Sequence, residues 1–381
     1  MYDYIIAGTG AAGLSLAYHL QQSSALRQKK LLLIDKAPKQ GNDRTWCFWA
    51  QPEFPFAEIL AKQWRYLDFH GVGFAQKFDI DHYRYCLLRS ADFYQYIHEA
   101  LLKNPSVEFV YGEIEDLQSH ADKASVRVNG QSYEAAWAFS SLPAPRTPKD
   151  GHFYLKQHFK GYWLEVPQET FEIDSAGFMD FRIPQVAHEA RFMYVLPLSA
   201  RKALVEFTIF SEQLLPQAEQ YDAQLQAYIK DFLKIKDYHI GEEEFGIIPM
   251  DSEPYPAQIG SRILNIGIAG GAAKPSSGYA FLRMQKQAKA LVAQLEKRGR
   301  PTPYKPLAQY QLYDNTLLNV MATEKYPASK AFTRLFERHP IHRIFRFLDE
   351  ESSFWKDDLK IMWEMPHLPF LKAVWENRRL L

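Results

Sequence analysis

The chain has 381 residues, more than one hydrophobic core usually serves, and with 47% hydrophobic and 24% charged residues it has the composition of a folded globular protein. Basic and acidic residues balance at 45 each, so the basic field of a nucleic-acid-binding protein is absent. Cys47 and Cys86, far apart and in no metal-ligand spacing, indicate a reducing, cytoplasmic compartment. We expect no leader, no membrane-spanning segment and, since the histidines form no ligand cluster, no metal.

The first forty residues follow the pattern of a dinucleotide-binding βαβ unit. Apolar residues 4–7 predict a buried strand, and the G-x-G-x-x-G pattern at 8–13 leads into a helix predicted over 14–20. A second strand, predicted over 31–34, ends in Asp35. A glycine turn without a nucleotide is the alternative, but strand, loop, helix and acid arrive in the order that the motif requires. The sequence therefore predicts a pyrophosphate at the N-terminus of this helix.

The glycines and the acid of this motif each have a mechanical role. Gly8 permits the tight turn, Gly10 lets the backbone approach a phosphate, and Gly13 allows close packing of helix on strand. Asp35 is placed to accept hydrogen bonds from an adenosine ribose. The predicted cofactor-binding residues of this unit are Gly8, Thr9, Gly10, Ala11, Ala12, Gly13, Asp35 and Lys36.

A second glycine-rich turn favours FAD over NAD as the cofactor. Residues 262–267 predict a late strand, and the turn leads into a helix predicted over 280–298. It resembles the flavin-contacting turn of hydroxylase-type flavoproteins, which NAD dehydrogenases generally lack. Ile268 stands where those enzymes usually carry an Asp that holds the ribityl chain, and a plain turn is the alternative. The resemblance implies FAD contacts from Gly267, Gly270, Gly271, Pro275 and Gly278.

Motifs along most of the chain resemble those of the bacterial flavin-dependent lycopene β-cyclases. The motifs are the glycine loop 8–13 and segments 44–49, 88–93, 177–185, 194–199, 204–208, 269–279 and 365–370. The resemblance implies that the linear ends of lycopene, or of a related acyclic carotene, are cyclised to β-ionone rings without net redox change, giving β-carotene through γ-carotene. It also implies noncovalent FAD in its reduced form, with NADPH as the electron source.

Such a cyclisation needs a carboxyl that burial keeps protonated until use. The match to the family's acidic strand motif makes Glu206 the candidate acid and base. Strand alternation places Leu204, Thr208 and Phe210 on its face of the sheet. From the pattern alone, a glutamate on a solvated face is the alternative. Some family members carry a second, adjacent glutamate where this chain has Phe207, so the acceptor of the final proton stays open.

Three further charged residues are candidates for the site. Asp180 is a second catalytic candidate, and an ion pair with Arg182 on one strand face is the alternative. Arg44 and Arg89 are expected to hold the FAD phosphates or the flavin ring, with a surface salt bridge as the alternative for each.

The predicted fold class is α/β, with a Rossmann-type FAD-binding domain of the hydroxylase-like flavoprotein fold. This domain is discontinuous and takes residues 1–58, 85–147 and 258–300, with the prolines of 142–148 marking a crossing between domains. An antiparallel-sheet substrate-binding domain takes residues 59–84 and 148–257, including one helix near 215–234. Residues 301–381 form a C-terminal helical region.

This helical region interleaves aromatic and basic residues along 330–348 and carries further aromatics along 355–375. Such an amphipathic surface predicts peripheral contact with the inner face of the cytoplasmic membrane, and packing of these aromatics on the other domain is the alternative. Two other functions compete with cyclisation: an FAD-dependent monooxygenase or prenyl-chain reductase that uses NADPH, and a non-catalytic carotenoid- or flavin-binding protein.

Overall fold

The computed structural model describes residues 1–143, 146 and 149–378. In chain order its strands are β1 (Tyr2–Ala7), β2 (Leu31–Asp35), β3 (Thr45–Ala50), β4 (Lys62–Trp64), β5 (Tyr66–Gly71), β6 (Phe74–Asp79), β7 (Arg84–Arg89), β8 (Val107–Tyr111), β9 (Ile114–Ser119), β10 (Ala124–Val128), β11 (Gln131–Ser140), β12 (Tyr154–Glu165), β13 (Ser175–Asp180), β14 (Ala190–Ser199), β15 (Lys202–Ser211), β16 (His239–Asp251), β17 (Gln258–Ile259) and β18 (Ile263–Asn265).

The helices in the described part of the chain are α1 (Ala11–Gln22), α2 (Ser90–Leu102), α3 (Ala218–Asp231), α4 (Phe281–Arg298), α5 (Ala308–Ala322), α6 (Ala328–Arg338), α7 (Ile341–Leu348), α8 (Leu359–Glu364) and α9 (His367–Asn377). Short 3₁₀ turns lie at Ala57–Ile59 and Gly267–Gly270, and a π-helical turn at Phe354–Asp358 precedes α8.

The first sheet has the strand order β17-β18-β11-β1-β2-β8, with the antiparallel strands β10 and β9 attached to β11. Strands β18, β11, β1, β2 and β8 run parallel. Parallel strands are covered on both faces, which is why β1 and β2 read as continuous apolar runs. Helices α1 and α4 cover one face, where Leu14 and Leu291 are buried in a common core with Ile6 and Leu33. The carboxyl ends of the strands therefore meet the first turn of α1.

The second sheet has the order β16-β12-β15-β14-β13-β5-β6 and is antiparallel except for the parallel pair of β13 and β5. Alternation along β15 divides its side chains as the sequence predicts. Val205, Phe207 and Ile209 are buried against α3, the helix expected near 215–234. Leu204 and Glu206 point to the opposite face, where a cavity lies.

A third, small sheet of order β3-β7-β4 is absent from the sequence-based expectation. It pairs 45–50 with 84–89 and 62–64, so its strands cross the predicted domain boundaries at 58/59 and 84/85. The boundary at 147/148 lies outside the described residues. Phe281 of α4 stacks on Trp46 and Phe48 of β3, with ring centroids 4.9 and 5.1 Å apart. This sheet therefore connects the nucleotide-type sheet to the rest of the molecule.

The C-terminal helices divide into a buried and an exposed part. Phe332 and Phe336 of α6 pack on the second sheet, and Phe336 stacks on Phe69 at 4.3 Å between ring centroids. Most aromatic residues of 330–348 thus pack in the core, which was the alternative to the predicted membrane-facing surface. Trp355 and Trp363 are instead 77% and 74% exposed. Within the described residues, no helix combines the length and apolarity needed to cross a bilayer.

Candidate active site

A cavity of about 590 Å³ opens between the three sheets. It is lined by the first turn of α1, by β3 and β7, by one face of the second sheet and by the glycine-rich turn before α4. Of the residues predicted for the site, the cavity brings together Gly10, Ala11, Ala12, Arg44, Glu206 and Gly278.

The phosphate loop has the geometry that its glycines allow. Gly8 has a φ of +94°, and its N–H donates a 2.8 Å hydrogen bond to the carbonyl oxygen of Ile34. A Cβ on Gly13 would lie 2.0 Å from the carbonyl oxygen of Gly8, whereas a Cβ on Gly10 would meet nothing within 4 Å. Helix α1 begins without a side-chain cap. Its free N–H groups and the open space at Gly10 together fit a phosphate.

Asp35 is fixed beside this loop at the end of β2. Its Oδ2 accepts hydrogen bonds from the N–H and the hydroxyl of Thr9, at 2.6 and 2.8 Å, and its Oδ1 accepts one from the N–H of Lys36 at 2.7 Å. Lys39 Nζ lies 3.5 Å from Oδ2 and lines the cavity. The carboxylate therefore stands where the motif expects it, already held by the loop.

The second glycine turn packs closely on α1. Gly267 has a φ of +63°, and a Cβ there would lie 2.5 Å from the Cβ of Ala12. A Cβ on Gly270 would lie 2.4 Å from the carbonyl oxygen of Asn265, and Gly271 has a φ of +77°. These glycines bring the turn next to the phosphate loop.

The end of this turn contacts the second sheet. Gly278 has a φ of +72° and lines the cavity, and a Cβ there would lie 2.0 Å from Oε1 of Gln157. That buried amide oxygen accepts no hydrogen bond among the described residues. Ile268 also lines the cavity, while Pro275 does not. An unpartnered acceptor beside this turn is available to a cofactor.

The two predicted arginines have different surroundings. Arg44 is exposed and lines the cavity, and its Nη1 donates to the carbonyl oxygen of Asp43. Arg89 Nη2 lies 2.8 Å from Oε2 of Glu242, and its guanidinium lies 5.2 Å from the ring centroid of Trp163. Arg89 thus belongs to an ion pair on the edge strand β16, and it does not line the cavity.

Glu206 lines the cavity among mostly apolar and aromatic neighbours. On the flanking strands its backbone pairs with Tyr194 and Gly161. Burial raises the pKa of Glu206 to about 8, and the charge of Glu244 adds to the shift. The hydroxyl of Thr208 donates a 2.6 Å hydrogen bond to Oε1, which acts in the opposite direction. Glu206 is therefore a carboxylic acid that keeps its proton at neutral pH.

A second carboxyl, Glu244 of β16, lines the same cavity. Its Oε2 accepts a 2.7 Å hydrogen bond from the hydroxyl of Thr45. Burial raises the pKa of Glu244. Hydrogen bonds from Thr45 and Trp163 and the charge of Arg89 oppose this rise, but the pKa stays above its ordinary value. Gly161 pairs in register with both Glu206 and Glu244, so the two carboxyls flank a strand position that has no side chain.

Neutral polar groups complete this part of the cavity wall. Tyr85, Tyr194 and Tyr279 line it together with Cys47. Burial raises the pKa of each tyrosine well above its usual range, and it does the same for the Cys47 thiol, where the charges of both glutamates add to the shift. All four groups therefore stay protonated around the carboxyl pair. In the described part of the chain, no group of three or more metal-binding side chains could hold an ion.

Asp180 lies outside this cavity and is held as a carboxylate. Its oxygens accept hydrogen bonds from Nε of Arg182 at 2.9 and 3.1 Å and from the hydroxyl of Tyr228 at 2.7 Å. Burial alone raises the pKa of Asp180, but the bonds from Arg182 and Tyr228 outweigh it and leave the pKa below its ordinary value. The predicted second catalytic candidate therefore forms the ion pair that was its alternative.

The C-terminal region braces the second glycine turn. Nζ of the buried Lys274 lies 2.8 Å from Oδ1 of Asp314 on α5, which also accepts a 2.7 Å hydrogen bond from the hydroxyl of Ser276. Arg283, in the first turn of α4, forms an ion pair with Glu350. The turn that borders the cavity is thus tied to the C-terminal helices by buried charges.

Sequence reasoning missed Glu244, although one signal pointed to it. Glu242, Glu243 and Glu244 form an acidic run, which by itself is typical of a solvated segment. Gly161 in the interior of a long strand was the available clue, because glycine inside a strand often marks the close approach of another group. Only the pairing of β12 with β16 shows that the group is Glu244.

Comparisons with known proteins agree on both family and fold. Residues 3–374 match the family model described as lycopene cyclase protein. The chromoplastic capsanthin/capsorubin synthase of Citrus sinensis is 24% identical over 333 residues, which are 79% of this chain but only 63% of that protein, so the chain spans less than two thirds of its relative.

Two solved structures have the same fold over the whole of this chain. A geranylgeranyl bacteriochlorophyll reductase-like protein from Thermoplasma acidophilum has a TM-score of 0.65 at 13% identity and is covered over 99% of its length. A flavoprotein/dehydrogenase from Cytophaga hutchinsonii has a TM-score of 0.63 at 12% identity and is covered over 100%. The predicted flavoprotein-type α/β fold and the predicted family are confirmed. Since its family model matches nearly the whole chain, the protein belongs to the lycopene cyclase family.

Proposed function

We propose that the protein is an FAD-dependent lycopene β-cyclase. It converts the linear ends of lycopene, or of a related acyclic carotene, into β-ionone rings, giving β-carotene through γ-carotene without net redox change. Family membership supports the substrate class. The observation that carries the proposal is the carboxyl of Glu206, whose raised pKa keeps it protonated on the wall of a cavity that also contains a phosphate-binding helix N-terminus.

The residues around the first turn of α1 fit FAD. The open space at Gly10 admits a pyrophosphate, and Lys39 and Arg44 add positive charge to the same wall. Asp35 stands beside this position for a ribose, and Gln157 offers an unpartnered acceptor near the second glycine turn. When bound in its reduced form, with NADPH as the electron source, the flavin supplies negative charge where the substrate cation develops.

The proposed chemistry of this chain begins with proton donation. The carboxylic acid of Glu206 delivers its proton to a carbon of the terminal double bond, and the tertiary cation that results is attacked by the next double bond to close the ring. Tyr194 and Phe159 present aromatic rings to the cavity, which exclude water and can stabilise the cation by cation–π attraction. We assign no proton transfer to Asp180, because Arg182 keeps it ionised.

Conversion of lycopene by the purified protein tests the function. We expect incubation with lycopene, FAD and an excess of reductant to yield γ-carotene and β-carotene on chromatography, with NADPH used only to prime the flavin. Consumption of one NADPH for each product, together with a change in mass, would show a monooxygenase or a reductase. Recovery of unchanged lycopene would favour the alternative of a non-catalytic carotenoid- or flavin-binding protein.

A matched pair of variants tests the role of Glu206. Glu206→Gln is expected to retain FAD and to lose activity roughly 100-fold or more, since a positioned acid contributes at least this much. The control is Glu165→Gln, at the end of the neighbouring strand β12, which removes a carboxyl that lies 2.9 Å from Nζ of Lys202 on β15. Activity of Glu206→Gln near that of the parent would remove it from the acid role.

We also propose that the protein docks peripherally on the inner face of the cytoplasmic membrane through residues 354–372. Trp355, Trp363 and Leu368 are 77%, 74% and 83% exposed in this segment, which also carries Lys360 and Lys372. Exposed aromatic side chains beside lysines suit an anionic lipid surface, where a hydrocarbon substrate is dissolved.

Flotation with anionic liposomes tests this docking. We expect the parent protein to co-float at low salt and the double variant Trp355→Ala/Trp363→Ala to remain behind. Leu102→Ala, at a 63% exposed position on α2, is the matched control and should float like the parent. Equal flotation of all three proteins would place the contact elsewhere.

A further inference from the structure

Three neighbouring strands place Glu206, Gly161 and Glu244 side by side. Gly161 of β12 is the register partner of Glu206 on β15 and of Glu244 on β16. We propose that Glu244 is the second catalytic residue of the cyclisation, the base that accepts the proton leaving the ring cation. This inference rests on the proposed cyclase function, and it supplies the acceptor that Phe207, turned into the core beside α3, cannot provide.

The absence of a side chain at Gly161 lets the two carboxyls share one space. A Cβ there would lie 2.8 Å from Cδ1 of Leu204 and 3.1 Å from Cγ of Glu244, so the side chain of Glu244 leans over the glycine. The two flanking backbones are roughly 10 Å apart, which is twice the spacing of neighbouring strands. Both side chains line the same cavity, and one substrate end can contact both.

The surroundings of the two carboxyls differ in a way that assigns their roles. Glu206 receives a hydrogen bond from one neutral hydroxyl, that of Thr208. Burial and the charge of Glu242 raise the pKa of Glu244, but hydrogen bonds from Thr45 and Trp163 and the charge of Arg89 oppose that rise and stabilise its ionised form. Two titratable groups whose surroundings separate their pKa values form an acid and base pair. Glu206, with one hydrogen bond opposing its raised pKa, is therefore the proton donor of the pair, and Glu244, with three such groups, is the acceptor.

Protons and electrons balance over one ring closure. The O–H bond of Glu206 breaks, a C–H bond forms on the terminal double bond, and the next double bond supplies the pair of electrons that closes the ring. A C–H bond next to the new cationic carbon then breaks, its electrons form the ring double bond, and its proton goes to Glu244. Transfer of a proton from Glu244 back to Glu206 restores both groups, and no oxidant or reductant is consumed.

Several titratable and charged groups face the pair from the elements packed around it. They are Cys47 of β3, Tyr85 of β7, Arg89 at the end of β7, Tyr194 of β14, Glu242 of β16 and Tyr279 of the second glycine turn. Burial keeps the thiol and the three hydroxyls neutral, and Arg89 is paired with Glu242. Among these groups, the carboxyls of Glu206 and Glu244 are therefore the two available to exchange protons with a substrate.

The test compares Glu244→Gln with Glu243→Gln in the FAD-loaded protein. Glu243 is exposed on the same strand and pairs with Lys160 Nζ at 3.0 Å, so its variant should behave like the parent. We expect Glu244→Gln to keep the flavin spectrum and to lose turnover roughly 100-fold or more. The acid limb of its pH profile should disappear, because that limb reports ionisation of the base. The alkaline limb should move to lower pH, because the charge that opposes ionisation of Glu206 is gone.

A milder variant keeps the test decisive if Glu244→Gln folds poorly. Thr45→Val removes one hydrogen bond to the carboxylate, which should raise the pKa of Glu244 and move the acid limb to higher pH. Parent-like turnover and an unmoved profile in Glu244→Gln, with Glu206→Gln inactive, would overturn the inference and leave the cyclase function standing. Failure of the parent to cyclise lycopene would instead overturn the proposed function.

Discussion

The hydroxyl of Thr208 donates a 2.6 Å hydrogen bond to Oε1 of Glu206, two residues earlier on the same face of β15. This bond stabilises the carboxylate more than the acid, so it holds the pKa of Glu206 lower than burial alone would set it.

Thr208→Val should therefore move the alkaline limb of the pH–activity profile to higher pH, by about half to one pH unit for one lost hydrogen bond. Cyclisation of lycopene measured from about pH 6 to about pH 10 provides the profile. Thr170→Val, whose hydroxyl donates to the carbonyl oxygen of Gln168 on the exposed surface, should leave it unchanged. An unmoved or lowered limb in Thr208→Val would argue against Glu206 as the acid.

The raised pKa of Glu206 also predicts how stability changes with pH. The folded protein keeps this proton while the unfolded chain releases it near the ordinary value of 4.5, so the folded state binds more protons up to about pH 8. The free energy of unfolding therefore falls as pH rises through this window. Asp349, whose pKa burial raises to about 7, adds to the slope. Glu206→Gln removes only the first contribution.

Thermal unfolding of parent and Glu206→Gln at about pH 5 and about pH 9 separates the two contributions. The Tm of the variant minus that of the parent should be larger at the higher pH than at the lower pH. Both proteins keep Asp349, so its effect cancels in the difference. A Tm difference that does not change with pH would mean that Glu206 ionises normally in the folded protein.

Two glycines of the phosphate loop should separate cofactor binding from folding. Gly10→Ala meets no protein atom within 4 Å, and the φ of −77° suits any residue, so the fold should keep its Tm. Its methyl group occupies the space where a pyrophosphate would approach, and FAD affinity should fall at least about tenfold.

Gly13→Ala is the contrasting variant of the same loop. Its Cβ would lie 2.0 Å from the carbonyl oxygen of Gly8, so it should lower Tm as well as FAD affinity. Titration with FAD followed by flavin fluorescence, together with calorimetry, measures both effects. Parent-like FAD binding by Gly10→Ala would place the pyrophosphate elsewhere.

The buried ion pair of Lys274 and Asp314 predicts that the C-terminal region controls the second glycine turn. Asp314→Asn leaves Glu350, 3.6 Å away, as the acidic partner of the Lys274 ammonium group and should cost roughly 3 kcal/mol, as for other broken buried pairs. Urea unfolding and release of FAD on heating should both shift in the variant. Glu165→Gln, at the exposed ion pair with Lys202, is the control and should change stability little. An effect equal to this control would show that the brace is dispensable.

The sequence alone could predict the parts of the fold that local rules determine. The βαβ unit was predicted because glycines, apolar runs and the terminal acid occupy fixed positions along one short segment, although α1 begins at Ala11, three residues earlier than expected. The two faces of β15 were predicted because strand alternation is strictly local.

Long-range pairing accounts for what could not be predicted. The sheet of β3, β7 and β4 joins short strands whose partners lie some distance away along the chain, and no local pattern specifies them. Glu244 reaches the cavity only because β16 pairs with β12. The burial of Phe332 and Phe336 depends on the second sheet, since an amphipathic helix carries no information about which partner covers its apolar face.

The order in which the chain visits its three sheets has a mechanical consequence. It passes from the first sheet through the third to the second, returns through the third to the first, and crosses to the second and back once more. Cutting the backbone at any single crossing leaves the layers joined by the remaining ones. One proteolytic cut is thus unable to release a sheet as a separate fragment, and a wide hinge-like separation would have to bend several connections at once.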